Sequence, residues 1–144
     1  MFFENKTELT LSERRALILH LLYSLEMNNY EKTVYEVLRD YANEYQIYID
    51  FNDSIVNEVE GVVESRDQID EEIRPYLKKW RIDRISIILK LIIRYAVWEF
   101  KNKKSDPALI INEAVELAKG FAEDESYKFV NGVLDIWIKQ KIEK

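Results

Sequence analysis

A chain of 144 residues has room for one hydrophobic core, and three glycines with two prolines are too few for the turns of a β-sandwich, so long helices are expected. The absence of cysteine excludes disulfides and thiolate metal sites and fits a reducing, cytoplasmic setting. The net charge of −6 argues against a strongly basic nucleic-acid binder, yet it is unevenly spread, at −10 over residues 31–73 and +8 over residues 74–104.

Residues 1–9 read as a short tail, with charged Glu4, Lys6 and Glu8 where a secretory signal would be apolar. Residues 10–144 read as one domain. Thr10 and Glu13 form a capping-box pattern that starts a helix running to about Met27. Its leucines and Ala16 leave a narrow polar line through Glu13, His20 and Ser24, so it should lie deep, with Arg14 and Arg15 at its exposed first turn. Asn28-Asn29-Tyr30 is a turn. A second helix, about Lys32 to Gln46, places Val34, Val37, Leu38 and Tyr41 on one face. Residues 45–51 alternate weakly, without a partner strand, and read as a helix end or connector.

A third helix starts near Asn52 or Asp53 and extends toward Leu77, with a break expected near Arg66 and a bend or end at Pro75. After the basic connector Lys78 to Arg81, Asp83 is the expected cap of a central helix that ends near Asn102. Lys90, Arg94 and Glu99 interrupt its apolar run, so a buried helix is expected and not a membrane span. Asp106-Pro107 starts another helix, with Ile111, Ala114, Val115 and Ala118 on one face and Gly120 as its stop. Glu123, Asp124 and Glu125 crowd the start of the last helix, whose stripe is Val130, Val133, Leu134 and Trp137.

No catalytic constellation stands out. His20 is the single histidine and reads as an exposed bystander, and the three glycines stand apart, so no phosphate loop exists. The chain is therefore not expected to be an enzyme or to carry a cofactor. Arg14-Arg15 can serve phosphates or form a solvated first turn. The clusters Lys78–Arg84 and Lys101–Lys104 can bind anions or balance the acidic helices. Asn131-Gly132 interrupts a good helical stripe, which points to a neighbour approaching the backbone closely there, with Asn131 bonding across the contact. Phe129 can stack on a base or pack inward.

INEAVELAK (residues 111–119) followed by KFVNGVLD (residues 128–135) closely resembles the C-terminal signature of the NusB family of bacterial transcription antitermination factors. The opening helix, Arg14-Arg15-Ala16 through Leu22-Tyr23-Ser24, and Ile93-Arg94-Tyr95-Ala96 with Glu99-Phe100 are similar to two further blocks of that family, in the same order. The resemblance implies an all-α bundle of about seven helices in two packed subdomains. It implies binding of boxA RNA together with a NusE-type small-subunit ribosomal protein, in an antitermination complex on RNA polymerase, and it allows a homodimer. Carried onto this chain, the RNA surface would use Arg14, Arg15, Lys119, Ser126, Lys128 and Phe129. The partner surface would use Tyr23 and part of residues 77–90, including Arg84. Arg94, Asn131 and Gly132 would be structural, with Arg94 paired to a carboxylate such as Glu113 or Glu116. The family's opening helix is usually led by several arginines; here that lead reads Glu4, Lys6, Glu8 and Glu13 before Arg14 and Arg15. The alternative is therefore a divergent protein-interaction module whose RNA binding is weak or lost.

Overall fold

A computed structural model describes residues 9–46, 54–77 and 85–143. Among them are six α-helices, one 3-10 turn and no strand, so the chain is all-α. The helices are α1 (Leu11–Met27), α2 (Val34–Tyr45), α3 (Ser54–Ile73), α4 (Ile87–Asn102), α5 (Pro107–Phe121) and α6 (Ser126–Ile142), with the 3-10 turn at Arg74–Tyr76. No described helix is long and apolar enough to cross a membrane. The chain divides into two compact units, residues 1–63 and 64–144, and the boundary falls within α3. The alternating stretch after Tyr45, the 78–81 connector and Asp83 lie outside the described residues.

In the first unit, α1 begins at the expected capping box. The Thr10 hydroxyl accepts from the Glu13 amide at 3.1 Å, and the Glu13 carboxylate accepts from the Thr10 amide at 2.9 Å. Leu17, Ile18, Leu19, Leu21, Leu22 and Leu25 are all buried, which fits a helix apolar on most of its circumference. α1 ends in a Schellman-type turn, where the Tyr30 amide donates to the Leu25 carbonyl and the Asn29 amide to that of Glu26. Asn29 and Tyr30 both take positive φ there. A second capping box, Thr33 with Glu36, starts α2, whose Val34, Val37 and Leu38 are buried. The early part of α3 contributes Ile55, Val56, Val59 and Val62 to the core.

α3 continues without the break expected near Arg66 and tightens into the 3-10 turn at Pro75. A proline at the start of a new turn loses no hydrogen bond, so it ends the α-helix without disrupting a ladder. In the second unit α4 is central, with Leu91 through Val97 buried and both α5 and α6 packed on it. It starts at Ser86, whose hydroxyl accepts from the Leu89 amide at 3.2 Å, and not at Asp83. α5 starts as expected at Asp106, which accepts from the Ala108 amide at 3.1 Å. Its buried face is Ile110, Ala114, Leu117 and Ala118, so Ala114 and Ala118 of the expected stripe hold while Ile111 and Val115 are only half-buried, and it passes through Gly120 to end at Phe121. α6 buries Val130, Val133, Leu134 and Trp137 as read, with Ile138 added, and the Trp137 ring meets Phe100 edge-on at 5.3 Å.

Part of the segregated charge is paired inside this unit. Arg94, buried in α4, makes a bidentate ion pair with Asp70 at 2.8 and 2.6 Å, where Glu113 or Glu116 had been expected. Lys101 reaches Glu72 at 2.9 Å. Basic α4 is thus tied to the acidic end of α3, and the Tyr76 hydroxyl bonds Gln140 of α6 at 2.6 Å. Removing one partner of a buried pair strands the other charge, at a cost of about 3–5 kcal/mol. Asp70→Ala is therefore expected to lose about 3 kcal/mol in urea unfolding, and Asp70→Leu with Arg94→Leu together much less than the two single losses combined. A loss below about 1 kcal/mol for Asp70→Ala would show that the pair is solvated and weak.

Candidate nucleic-acid interface

The second unit holds an open cleft of about 670 Å³ between the start of α4 and the turn joining α5 to α6. Ile85, Ser86 and Leu89 form one wall, and Glu123 to Ser126 with Lys128 and Phe129 form the other. The turn's geometry sets the second wall. Glu125 stands just before α6 in the left-handed region, at φ 67°, and gives the helix no side-chain cap. From there it meets Lys128 at 3.1 Å, one turn on. The Ser126 amide closes the turn on the Glu123 carbonyl at 3.1 Å.

The lining is mixed in character. Ile85, Leu89 and the half-buried Phe129 are apolar, Ser86 and Ser126 bring hydroxyls, and one ammonium faces three carboxylates. Such a cleft is poorly suited to a cluster of phosphates, because like charge dominates its rim. It suits a flat, partly apolar group that stacks on a ring and hydrogen-bonds at its edge. Nothing in it pairs a nucleophile with a base, and the described residues hold no group of three His, Cys, Asp or Glu placed to bind a metal.

Three of the residues assigned to RNA, Ser126, Lys128 and Phe129, therefore line one cleft. Lys119 does not line it. It is exposed, 4.9 Å from the centre of the Tyr127 ring and 3.7 Å from Glu116. Ile85, Ser86 and Leu89 fall in the 77–90 stretch expected on the partner surface and were not foreseen beside the RNA residues, since only the folded chain brings them to the start of α6.

The arginines of the first unit depart from expectation. Arg15 is buried at 4% exposure, and Arg14 turns inward to an ion pair with Glu58 and a 2.5 Å hydrogen bond to the Ser54 hydroxyl. The solvated first turn is thus corrected: Arg15 is buried, and Arg14, partly exposed, is engaged by Glu58 and Ser54. Tyr23 is 37% exposed, with Met27 exposed one turn later. Arg84 lies outside the described residues. Asn131 is exposed, and a Cβ built on Gly132 would meet nothing within 4 Å, so the expected close approach inside the fold is absent.

A model of the NusB family matches residues 12–139. The chain belongs to the NusB family. The transcription antitermination protein NusB of Staphylococcus haemolyticus is 39% identical over 122 residues, which cover 85% of this chain and 94% of that one. NusB of Nitratiruptor is 37% identical over 131 residues, covering 91% and 93%. Among solved structures, Thermotoga maritima NusB matches with a TM-score of 0.79 at 27% identity, covering 92% of this chain and 93% of that one. A chain in a crystal structure of antitermination factors NusB and NusE with double-stranded RNA matches at 0.73 and 25% identity, covering 90% and 96%.

The one imidazole of this NusB-family chain takes no part in the cleft. His20 is exposed on α1 and meets the Tyr41 ring edge-on at 4.7 Å. Partial desolvation lowers its pKa, against a smaller opposite effect of Glu44, and desolvation pushes the Tyr41 phenol up to about 12. A histidine whose pKa is lowered on folding disfavours the folded state once it is protonated. Its contribution is therefore complete above the ordinary pKa near 6.5 and declines as pH falls through it. NMR titration of His20 should give a midpoint below 6.5, moving up in Tyr41→Ala; a midpoint at or above 6.5 in the parent would contradict the packing described.

Proposed function

We propose that the protein is a non-catalytic transcription antitermination factor that binds boxA-type RNA together with a NusE-type ribosomal protein. Its setting is the antitermination complex on RNA polymerase in the bacterial cytoplasm. The observation that carries this reading is the cleft at the start of α6, because Ser126, Lys128 and Phe129 line it together. In this reading Phe129 stacks an unpaired base, Ser126 bonds its edge, and Lys128 exchanges Glu125 for a phosphate. Lys119 adds charge nearby. Arg14 and Arg15 act through the position of α1, since the ion pair of the one and the burial of the other leave little to offer a phosphate directly. Tyr23 and Arg84 serve the protein partner. Residues 10–144 work as one NusB-type domain, the two-subdomain bundle of about seven helices that the family implies, with residues 1–9 as a tail and self-association as a further property.

A second reading has one observation in its favour. Arg14, Lys119 and Lys128 each have a carboxylate of the same chain within ion-pair distance. A surface already neutralised from within fits a protein-interaction module whose RNA binding is weak.

Fluorescence anisotropy with a boxA-type RNA oligonucleotide, with and without a NusE-type protein, separates the two. Lys128→Ala should weaken binding and reduce the salt slope by about one. Phe129→Ala should cost about 1–3 kcal/mol of affinity. Arg15→Ala should weaken binding only together with a lowered melting temperature. Capture of the NusE-type protein without any RNA retention at low salt would establish the second reading instead.

A further inference from the structure

Gly132 stands in the middle of α6, and nothing within the described fold explains it. Its φ is not positive, and a Cβ built there would meet no atom within 4 Å. Neither backbone conformation nor internal packing therefore calls for glycine, although glycine weakens a helix interior. At 3.6 residues per turn, Gly132 falls opposite the buried stripe of Val130, Val133, Leu134, Trp137 and Ile138. It shares an outward line with Lys128, one turn before, and Lys139, two turns after, both exposed. Ile136, 52% exposed, and exposed Asn131 flank that line.

We propose that Gly132 is where a single RNA strand comes into contact with the backbone of α6, its sugar–phosphate chain running along the line from Lys128 to Lys139. The proposal rests on the RNA reading above and extends it to residues outside the cleft. Continuity is the first argument, because Lys128 belongs both to the cleft and to this line. Charge is the second. The two lysines are spaced ~16 Å along the helix by its rise, and each is paired with a carboxylate, Glu125 and Asp135, both at 3.1 Å. A phosphate arriving at either ammonium replaces that carboxylate as acceptor. Between them, the missing Cβ lets a ribose reach the helix backbone, whose polar groups are already bonded within the helix. The contact there is one of shape. Ile136 offers the sugar an apolar neighbour, and the Asn131 amide can donate to or accept from a 2′-hydroxyl.

The test compares the full-length parent with Gly132→Ala, Lys139→Ala and Lys128→Ala, using a boxA-type RNA oligonucleotide and thermal melts of the free proteins. Alanine meets no clash at position 132 and favours the helix, so Gly132→Ala should raise the melting temperature by about 3 °C while weakening RNA binding at least about threefold. Lys139→Ala should leave the melt nearly unchanged and lower the salt slope by about one. The proposal falls if Gly132→Ala melts higher and binds RNA as the parent does while Lys128→Ala is weakened; the RNA reading then survives alone. It also falls if Gly132→Ala loses only the NusE-type protein, which would make the glycine a protein contact. A parent that retains no RNA overturns both readings. If Gly132→Ala were to lower the melt, Lys139→Ala decides: an unchanged slope overturns the proposal.

Discussion

The second unit depends on keeping one charge satisfied. Arg94 lies in the longest continuously buried run among the described residues, between Ile93 and Tyr95, where an unpaired guanidinium would not be tolerated. Asp70 meets it with both carboxylate oxygens, and that geometry fixes the azimuth of α4 against the end of α3. α5 and α6 then pack on α4, and the start of α4 becomes one wall of the cleft. Leu89 and Phe129 thus come to line the same cleft through the packing of α4, α5 and α6.

The same pairing accounts for the segregated charge. A block of +8 beside a block of −10 suggests a protein with a basic binding face. In the folded chain Arg94 and Lys101 neutralise Asp70 and Glu72, and Arg74 pairs with Glu71 within its own turn. The basic third is in part an internal counterweight. At the cleft, where one ammonium faces three carboxylates, a ligand leans on ring, hydroxyls and shape more than on net charge.

How much of this was legible in the sequence depended on whether the deciding contact was local. Caps were, because Thr10 and Glu13, or Asp106 and Pro107, act within one turn; the same pattern at Thr33 and Glu36 starts α2 and was equally available. The stripe of α6 was legible from its i, i+3, i+4, i+7 spacing, and Ile138 fell outside it where Ile136, Trp137 and Ile138 run together. The face of α5 was legible at Ala114 and Ala118 and not at its start, because Leu109, Ile110 and Ile111 are all apolar and periodicity cannot choose among them. Asp83 and Ser86 are both good caps, and only packing selects between them. Arg94 announced its need for a carboxylate but not which one, since Asp70 lies 24 residues away. The family was legible from the last two helices. The cleft was legible only in half, because nothing local joins residues 85–89 to residues 123–129.

Two glycines show where local rules stop. Gly120 and Gly132 both sit inside helices, and neither has a neighbour within 4 Å of where a Cβ would be. For Gly120 this needs no explanation beyond position, because it is the penultimate residue of α5, where a helix frays and the cost of glycine is small. Gly132 has no such excuse, with six residues of α6 before it and ten after. Proteins retain a locally unfavourable residue where something other than the isolated fold benefits from it. With no strain at Gly132 and no atom within 4 Å of its missing Cβ, room is left there for a contact from outside the chain, on a face where Lys128 and Lys139 stand beside Glu125 and Asp135.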